Sequence, residues 1–286
     1  MSDVFPTARR SRRRRPEISG LQWATLLLVG LFVIVPFYTT VLGGFKEIGE
    51  LRTNPFGLPQ NWDAVRYLEI IFGPTLFRSL WNSLVIAVAT VIISVLLASM
   101  TGFALAQIRF FGRRFIMSFF MLGLLFPAAT AILPLFIKLR DFGLLNSHLG
   151  IIISQVSFSL AFSILLFHTF FSRLPKELIE AARMDNCGYL RIYWHIVLPL
   201  SLPIIATVGV FNFVSSWNNF LLPLIMLNSD ALYTWPLGIM QFQGQYGSDW
   251  PRILAYLTLT LIPAVIFFLI AQRYITSGLT GGAVKG

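Results

Sequence analysis

Long apolar stretches alternate with short polar segments along the chain. Six uncharged stretches lie within residues 18–45, 79–108, 115–137, 149–172, 199–227 and 253–272. An uncharged run of about 20 residues is long enough to cross the ~30 Å hydrocarbon core of a bilayer as a helix. Together with 56% hydrophobic and 12% charged residues, the pattern predicts an all-α, polytopic membrane protein with six transmembrane helices.

Residues 174–203 interrupt this pattern with a concentrated patch of alternating charge. Apolar residues recur there at helical spacing, which predicts one buried face: Leu174, Leu178, Ala181 and Ala182. A polar interruption follows over residues 185–188, where Asn186 and Gly188 adopt a left-handed backbone most easily. A second apolar helical pattern then runs to Leu198–Pro199. The stretch predicts a helix, a turn and a second helix that lie at a membrane surface.

The basic residues indicate how the chain is oriented. If the N terminus is cytoplasmic, 15 of the 22 Lys and Arg residues fall in inside segments. The positive-inside rule therefore predicts that both termini are cytoplasmic. This topology, together with the attraction of basic segments to the anionic headgroups of membrane lipid, accounts for the net charge of +10. Nucleic-acid binding is not indicated.

The same patterns divide the chain into four regions. We expect a basic cytoplasmic tail over 1–17, a first transmembrane helix with an outer segment over 18–79, and a membrane core over 80–276 that contains the charged loop 172–200. Residues 277–286 form a cytoplasmic C-terminal tail. Within the core, Pro127 and Pro134 are expected to break the third span near its outer end, where a kinked gate could form.

The spans themselves carry little chemistry. His168 is their one titratable candidate, whereas ion-coupled transporters contain relays of ionisable residues. The sequence has no Gly-rich phosphate-binding loop, so it cannot hydrolyse a nucleotide by itself. The three histidines are far apart and Cys187 is the only cysteine, so we expect neither a metal site nor an intrachain disulfide. Energy for transport must come from a partner chain.

The charged stretch supplies the link to such a partner. Its segment Glu180-Ala181-Ala182-Arg183-Met184-Asp185, followed by Ile196-x-Leu198-Pro199, resembles the EAA loop of ABC importer permeases. Three further segments resemble the carbohydrate-importing, maltose-type branch of that family: residues 104–114, Ser216-Trp217-Asn218-Asn219-Phe220, and the tail 272–286. The resemblance covers most of the chain after about residue 80.

The resemblance implies the binding-protein-dependent type I fold, forming half of a sugar-importing channel in the plasma (inner) membrane of a prokaryote. The implied partners are a homologous sister permease, two ATP-binding cassette subunits and an extracytoplasmic solute-binding protein. ATP and Mg would be bound by the ATPase subunits, with no cofactor on this chain, which is not itself an enzyme. Closure of the ATPase pair would move the coupling helix, swing helices 3 to 5 and open the cavity outwards.

The same resemblance assigns the ATPase-coupling residues: Glu180, Ala181, Ala182, Asp185 and Asn186. Glu180 is the first choice for a specific contact with the ATPase. The family has Gly and Ala where this chain has Asn186 and Cys187, and because Asn tolerates a left-handed turn we expect the bend to survive. The alternative is an interfacial helix that only caps the bundle.

A polar stripe on the fifth span is a candidate for the substrate pathway. Its members fall on one helical face: Asn212, Ser215, Ser216 and Asn219. Their side chains could hydrogen-bond sugar hydroxyls, while Trp217 or Phe211 could offer an apolar face to a pyranose ring. Ser and Asn are equally common in packing between membrane helices. The sister permease could also hold the sugar.

Two further segments follow from the resemblance. The outer loop over 228–252 would reach the solute-binding protein through four residues: Gln241, Gln243, Gln245 and Tyr246. The tail from Ser277 to Gly286 would insert between the ATPase subunits. A surface loop and a frayed end are the alternatives. At the level of function, the alternatives are a permease for a polyamine, an amino acid or a glycerol phosphoester, and a stand-alone channel or membrane enzyme.

Overall fold

A computed structural model of the protein describes residues 19–244 and 247–280. This part of the chain is mainly helical, and its single sheet is a hairpin of two antiparallel strands, β1 (Gln243–Gly244) and β2 (Gly247–Ser248). The prediction of an all-α protein is confirmed. The α-helices are α1 (Gly20–Gly43), α2 (Ile48–Thr53), α3 (Val65–Phe72), α4 (Pro74–Gln107), α5 (Arg113–Leu125), α6 (Ala128–Asp141), α7 (His148–Phe171), α8 (Lys176–Met184), α9 (Tyr189–Ile192), α10 (Leu198–Leu200), α11 (Leu202–Trp217), α12 (Leu221–Met226) and α13 (Trp250–Thr280).

Within residues 19–244 and 247–280, four helices are long and apolar enough to cross a membrane: α1, α4, α7 and the part of α13 up to Ile270. Two further spans are bent pairs, α5 with α6 at 103° and the segment Tyr189–Leu200 with α11 at 79°. If each bent pair is one span, the total is six. This arrangement agrees with the six apolar stretches of the sequence.

The third apolar stretch is divided by a sharp bend. Helix α5 ends at Leu125, and α6 begins at Ala128, directly after Pro127. Phe126 has an extended backbone, as expected for a residue that precedes proline. The predicted break at Pro127 is confirmed. Pro134 lies inside α6, so the prediction of a second break there is wrong.

The fifth apolar stretch also departs from its predicted limits. The helical backbone continues through Pro199 to Leu200, turns at Ser201, and resumes as α11 at Leu202. Pro203 occupies the first turn of α11, where its missing N–H is not needed. Helix α11 ends at Trp217 and the short helix α12 follows. The continuous span predicted over 199–227 is therefore wrong in both its start and its continuity.

Helices α4 and α7 form the centre of the fold. Helix α4 is 34 residues long and makes its most extensive helix contact with α7. The helices approach closely at Gly102, where a Cβ atom would lie 2.7 Å from the Cβ of Phe167. Nearby, the Gln107 side chain donates a hydrogen bond of 2.6 Å to the carbonyl of Phe171. The two helices are thus fastened together at the end of the bundle that carries α8, here called the α8 end.

At the opposite end of the bundle, residues 228–242 are fastened by hydrogen bonds. The Asn82 side-chain amide donates to two carbonyls of this segment, at 2.9 and 3.0 Å. Trp235 donates its backbone N–H to Ser83 Oγ (2.8 Å) and its ring N–H to the carbonyl of Trp217 (2.7 Å). The Trp235 carbonyl accepts from the Tyr256 hydroxyl at 3.0 Å. The segment is therefore tied to α4, α11 and α13.

The segment between α1 and α4 is ordered around a buried lysine. Lys46 is fully buried, and its ammonium donates to the carbonyls of Asn54 (2.8 Å) and Pro55 (3.1 Å), just beyond the end of α2. Cations are favoured at a helix C terminus because unpaired carbonyls lie there. The Tyr67 hydroxyl donates to the carbonyl of Val41 at 2.6 Å. Burial raises the pKa of Tyr67, and its hydrogen bond with Thr258 partly offsets this.

Candidate coupling surface and translocation cleft

The predicted helix, turn and helix over 174–203 are present in the structure. Helix α8 ends at Met184, and Asn186 has a φ of +58°, in the left-handed region. The Asn186 N–H donates to the carbonyl of Arg183 and the Cys187 N–H to that of Ala182, both at 3.0 Å. This pair of bonds is a Schellman motif, in which a left-handed residue closes the helix. The expectation that Asn186 preserves the bend is confirmed, whereas Gly188 has a negative φ.

The buried face of α8 matches the predicted one only in part, since Ala182 is buried and Leu174 is half-buried. Ile179 and Ala182 are the buried residues of the helix. Leu178 and Ala181, which were expected on that face, are exposed. On a nine-residue helix, two overlapping apolar faces fit the same sequence, and packing against the bundle selects the one that contains Ile179. Of the predicted coupling residues, Ala182 therefore packs inside this chain.

The exposed side of this segment combines large apolar residues with acidic ones. Met184 is 87% exposed and Leu190 67% exposed, on either side of the turn. Glu180 and Asp185 are exposed beside them. Exposed apolar side chains with a polar rim are typical of a protein interaction site. Met184 and Leu190 were not predicted from the sequence as site residues, although their place beside the polar turn was a usable signal.

Helix α8 is joined to the bundle through one apolar cluster, here called the inner cluster. Ile179 and Ala182 belong to it, together with buried residues of α4, α7, the segment Tyr189–Leu200 and α11. Tyr193 lies in the cluster, and its hydroxyl is hydrogen-bonded to Ser99 of α4 at 2.7 Å. Helix α5 adds only the half-buried Met117 and Phe120 to the packing. A displacement of α8 would therefore act on α4 and α7 most directly.

A basic cleft of about 570 Å³ adjoins α8. Its lining contains Arg109 from the α4–α5 loop and Arg113 at the start of α5, with Glu180 and Arg183 from α8. The guanidinium of Arg183 lies 5.2 Å from the ring centre of Tyr189, across the turn from α8. Within residues 19–244 and 247–280, none of these charged groups is in an ion pair. The cleft therefore presents free positive charge next to the acidic group of Glu180.

The polar stripe on the fifth span is partly engaged in helix packing. Asn212 is buried, and its amide donates to Ser94 Oγ (2.8 Å) and Ser163 Oγ (3.1 Å), which links α11 to α4 and α7. Ser216 is buried and donates to the amide oxygen of Gln155. Two of the four predicted stripe residues thus make the interhelical bonds that the packing alternative expected.

The stripe also lines a polar cleft of about 270 Å³. All four stripe residues border this cleft, and Ser215 is exposed to it. Asn219 lies beyond the end of α11 and accepts a hydrogen bond from the Leu222 N–H at 3.2 Å, at the start of α12. Phe211 is on the cleft wall, as predicted for an apolar face. The structure thus brings the stripe and Phe211 together at one cavity.

Trp217 lies elsewhere. Its ring stacks on Phe213 with 5.6 Å between ring centres, and it lines a separate apolar groove of about 620 Å³ between α4, α11 and α13. Trp217 does not border the polar cleft. Gln155 and Thr90 do, and a hydrogen bond of 3.2 Å joins them. Neither was predicted as a site residue, because a single Gln or Thr in an apolar span is usually a packing residue.

The predicted loop contacts are described in part. Gln241 and Gln243 are exposed, and Gln241 accepts a hydrogen bond of 2.9 Å from Thr75 Oγ1. Gln243 lies in strand β1. Gln245 and Tyr246 lie outside the described residues, as do the basic tail over 1–17 and residues 281–286 of the predicted C-terminal tail.

Comparison with known proteins decides the family. Residues 94–280 match the model of the binding-protein-dependent transport system inner membrane component family. The chain belongs to this family. The permease is 33% identical over 272 residues to the diacetylchitobiose uptake system permease protein NgcG of Streptomyces coelicolor. This match covers 94% of the permease and 90% of the relative. The permease is 32% identical over 279 residues to the arabinooligosaccharides transport system permease protein AraQ of Halalkalibacterium halodurans, covering 96% and 99%.

A solved structure agrees with the assignment. The permease superposes with a TM-score of 0.77 on a chain of a bacterial ABC transporter involved in the import of the acidic polysaccharide alginate. The two chains are 25% identical, and the match covers 94% of the permease and 99% of the solved chain. The predictions of a multi-pass ABC importer permease of the type I fold, and of a transport subunit rather than an enzyme, are confirmed.

Proposed function

We propose that this permease forms half of the channel of an ATP-driven importer for an uncharged sugar or oligosaccharide. The observation that carries the proposal is the exposed tip of α8, where Met184 and Leu190 flank an acidic turn while the opposite side of the helix is built into the inner cluster. An exposed tip with a buried base suits a helix that docks on a partner and passes its motion to the bundle. The relatives, named as permeases for diacetylchitobiose and arabinooligosaccharides, favour a saccharide substrate.

The complex would contain a sister permease, two ATP-binding cassette subunits and an extracytoplasmic solute-binding protein. ATP and Mg would be held by the ATPase subunits. The α8 end would face the cytoplasm with both termini, since most of the basic residues lie on that side. The exposed residues Gln241 and Gln243, with Gln245 and Tyr246, would meet the solute-binding protein at the opposite end.

Coupling would begin at the exposed groups of α8. Glu180 and Asp185 would orient the docked ATPase through charge, while Ala181, Met184 and Leu190 would supply apolar contact. Asn186 would hold the turn that brings α9 back to the bundle. When the ATPase subunits close, movement of α8 would press on α4, α7 and α11 through the inner cluster, and the cavity between the permeases would open outwards.

The polar cleft would form part of the sugar pathway. Ser215 and Asn219 would offer hydrogen bonds to sugar hydroxyls, with Asn212 and Ser216 behind them and Phe211 as an apolar wall. The described lining of the cleft contains no charged residue. That composition favours a neutral saccharide over a polyamine, an amino acid or a phosphoester, each of which needs a counter-charge. Trp217 would have a packing role, since it stacks on Phe213 and lines the separate apolar groove.

A charge reversal on α8 tests the docking. In the reconstituted complex with its ATPase and binding protein, Glu180→Lys should abolish ATP-driven sugar uptake and release the ATPase subunit in pull-downs, because the docked charge is inverted. Glu177→Lys is the matched control, since Glu177 is exposed on the same helix. Normal coupled uptake by Glu180→Lys would rule out the docking assignment. Equal losses from both variants would show that the net charge of α8 matters, and not a specific contact of Glu180.

A second experiment tests the substrate class. Vesicles that contain the wild-type complex should import neutral oligosaccharides and leave uronate oligosaccharides outside. Uptake of the uronate alone would overturn the proposal of a neutral substrate. ATP-independent flux through the purified permease without its partners would favour a stand-alone channel instead.

A further inference from the structure

Three helices meet at the side chain of Gln155, which lies on α7. Gln155 is only 6% exposed. Its amide oxygen accepts hydrogen bonds from Thr90 Oγ1 of α4, at 3.2 Å, and from Ser216 Oγ of α11. All three residues border the polar cleft. The amide therefore sits at the point where the three central helices and the cavity come together.

The other atom of this amide has no protein partner. Within residues 19–244 and 247–280, both hydrogen bonds of the Gln155 side chain involve its oxygen, which leaves the nitrogen with two unused N–H donors. If the amide were rotated by 180°, the free atom would be the oxygen, because the two hydroxyls can accept as well as donate. Either way, one polar atom of this amide is left without a protein partner and, since it is not enclosed by protein, is open to a group inside the cleft.

Asn212 of α11 also borders the cleft, but the polar atoms of its amide are engaged by protein. It is 5% exposed, its nitrogen donates to Ser94 and Ser163, and its oxygen accepts from Ser163 at 3.5 Å. Both ends of that amide are therefore occupied by protein. The difference between the two amides separates a structural contact from one that is half open to the cavity.

We propose that Gln155 is a sugar-binding residue of the translocation pathway, which reads a saccharide hydroxyl with the free end of its amide. The inference rests on the proposed function and adds a residue that determines what the cleft accepts. A hydroxyl both donates and accepts, so it can pair with whichever amide atom is free. Phe158 and Phe162 line the same cleft and provide an apolar surface for the C–H face of a sugar ring.

Thr90 and Ser216 are positioning residues in this arrangement. By holding one end of the amide, they fix the direction of the other end. Fixed polar groups bind a ligand more tightly than mobile ones, because less freedom is lost on binding. The same bonds join α4, α7 and α11, so any shift of these helices also moves the sugar contact.

The test must separate sugar binding from helix packing. Gln155→Met alone leaves two hydroxyls without their acceptor and could weaken assembly. The triple variant Thr90→Val, Gln155→Met, Ser216→Ala removes all three polar groups together, which is close to neutral for packing. Both variants, the wild type and the control Ser154→Ala are reconstituted with the ATPase and binding protein, and neutral oligosaccharides imported per ATP hydrolysed are measured. Ser154 is a buried neighbour that donates to the Gly150 carbonyl and does not border the cleft.

If the inference holds, the triple variant assembles and hydrolyses ATP but imports about tenfold fewer sugars per ATP, the effect of one lost hydrogen bond, and Ser154→Ala behaves as wild type. Wild-type import per ATP by the triple variant, whatever the single variant does, would show that Gln155 only packs the helices and would overturn the inference. Failure of the wild type to import any neutral saccharide would instead refute the proposed function itself.

Discussion

The two segments that close the ends of the bundle, residues 228–242 and helix α8, are held in different ways. Residues 228–242 are tied by directional hydrogen bonds: Asn82 and Tyr256 donate to their carbonyls, and Ser83 accepts from a backbone N–H. Helix α8 at the other end is held by the apolar contacts of Ile179 and Ala182, and within the described residues its side chains make no hydrogen bond to another helix. Hydrogen bonds fix orientation, whereas apolar contact depends on buried area and little on direction. The comparison indicates a fixed platform at one end and a movable part at the other.

The largest effect is expected from filling the close approach of α4 and α7, on which the movable end rests. In Gly102→Ala, the new methyl group would lie 2.7 Å from the Cβ of Phe167 and 3.0 Å from the backbone nitrogen of His168. Overpacking of this kind costs about 1–3 kcal/mol. Thermal unfolding of the purified permease should show a marked loss of stability. Gly30→Ala is the control, because nothing lies within 4 Å of its added atom. Equal stability of the two variants would mean that α4 and α7 can move apart at Gly102 without cost.

A smaller effect is expected from loosening the platform. Trp235→Phe keeps an aromatic ring but removes the ring N–H that donates to the carbonyl of Trp217. The loss of one such bond costs about 1 kcal/mol. Hydrogen exchange of residues 228–242 should accelerate while exchange in α8 stays unchanged. Trp250→Phe serves as the control, since Trp250 is 53% exposed. Faster exchange at both ends would contradict the separation of the two segments.

The smallest effect is expected from Asn186→Gly, in the turn after α8. Asn186→Gly suits the left-handed backbone at least as well as Asn, so stability should change by only a few tenths of a kcal/mol. Asn186→Ala should weaken the turn by about 1 kcal/mol, because alanine has no polar side chain to support this conformation. Exchange of the Asn186 and Cys187 amides, which are hydrogen-bonded at 3.0 Å, reports the difference. If Ala protects these amides as well as Gly does, the left-handed conformation does not limit the turn.

Much of the fold could be predicted because uncharged runs must satisfy their backbone bonds as helices in a membrane. The bends were harder, since Pro127 and Pro134 look alike in sequence but only Pro127 ends a helix. The sequence also fits two buried faces for α8, and the choice of Ile179 depends on its neighbours in the inner cluster.

The candidate site was predictable to a similar degree. The spacing of polar residues on α11 indicated the cleft, because residues on one face of a helix meet the same environment. The spacing could not separate Asn212, whose amide is fully used by other helices, from residues that remain open to the cavity. Gln155 belongs to another helix, so only the assembled bundle shows that it shares this cavity.

Helix α4 runs without interruption from Pro74 to Gln107 and takes part in both ends of the bundle. Its 34 residues correspond to a rod of about 51 Å, which is longer than the ~30 Å hydrocarbon core. A rotation of such a rod by about 5° around one end displaces the other end by about 4.5 Å. Asn82 and Ser83 hold α4 at the platform, Phe103 of α4 lies in the inner cluster, and Thr90, on the polar cleft, lies between them. If α4 pivots at the platform, Thr90 is about 10 Å and Phe103 about 30 Å from the pivot, at about 1.5 Å per residue. A displacement at the inner cluster would therefore reach the cleft reduced to about a third.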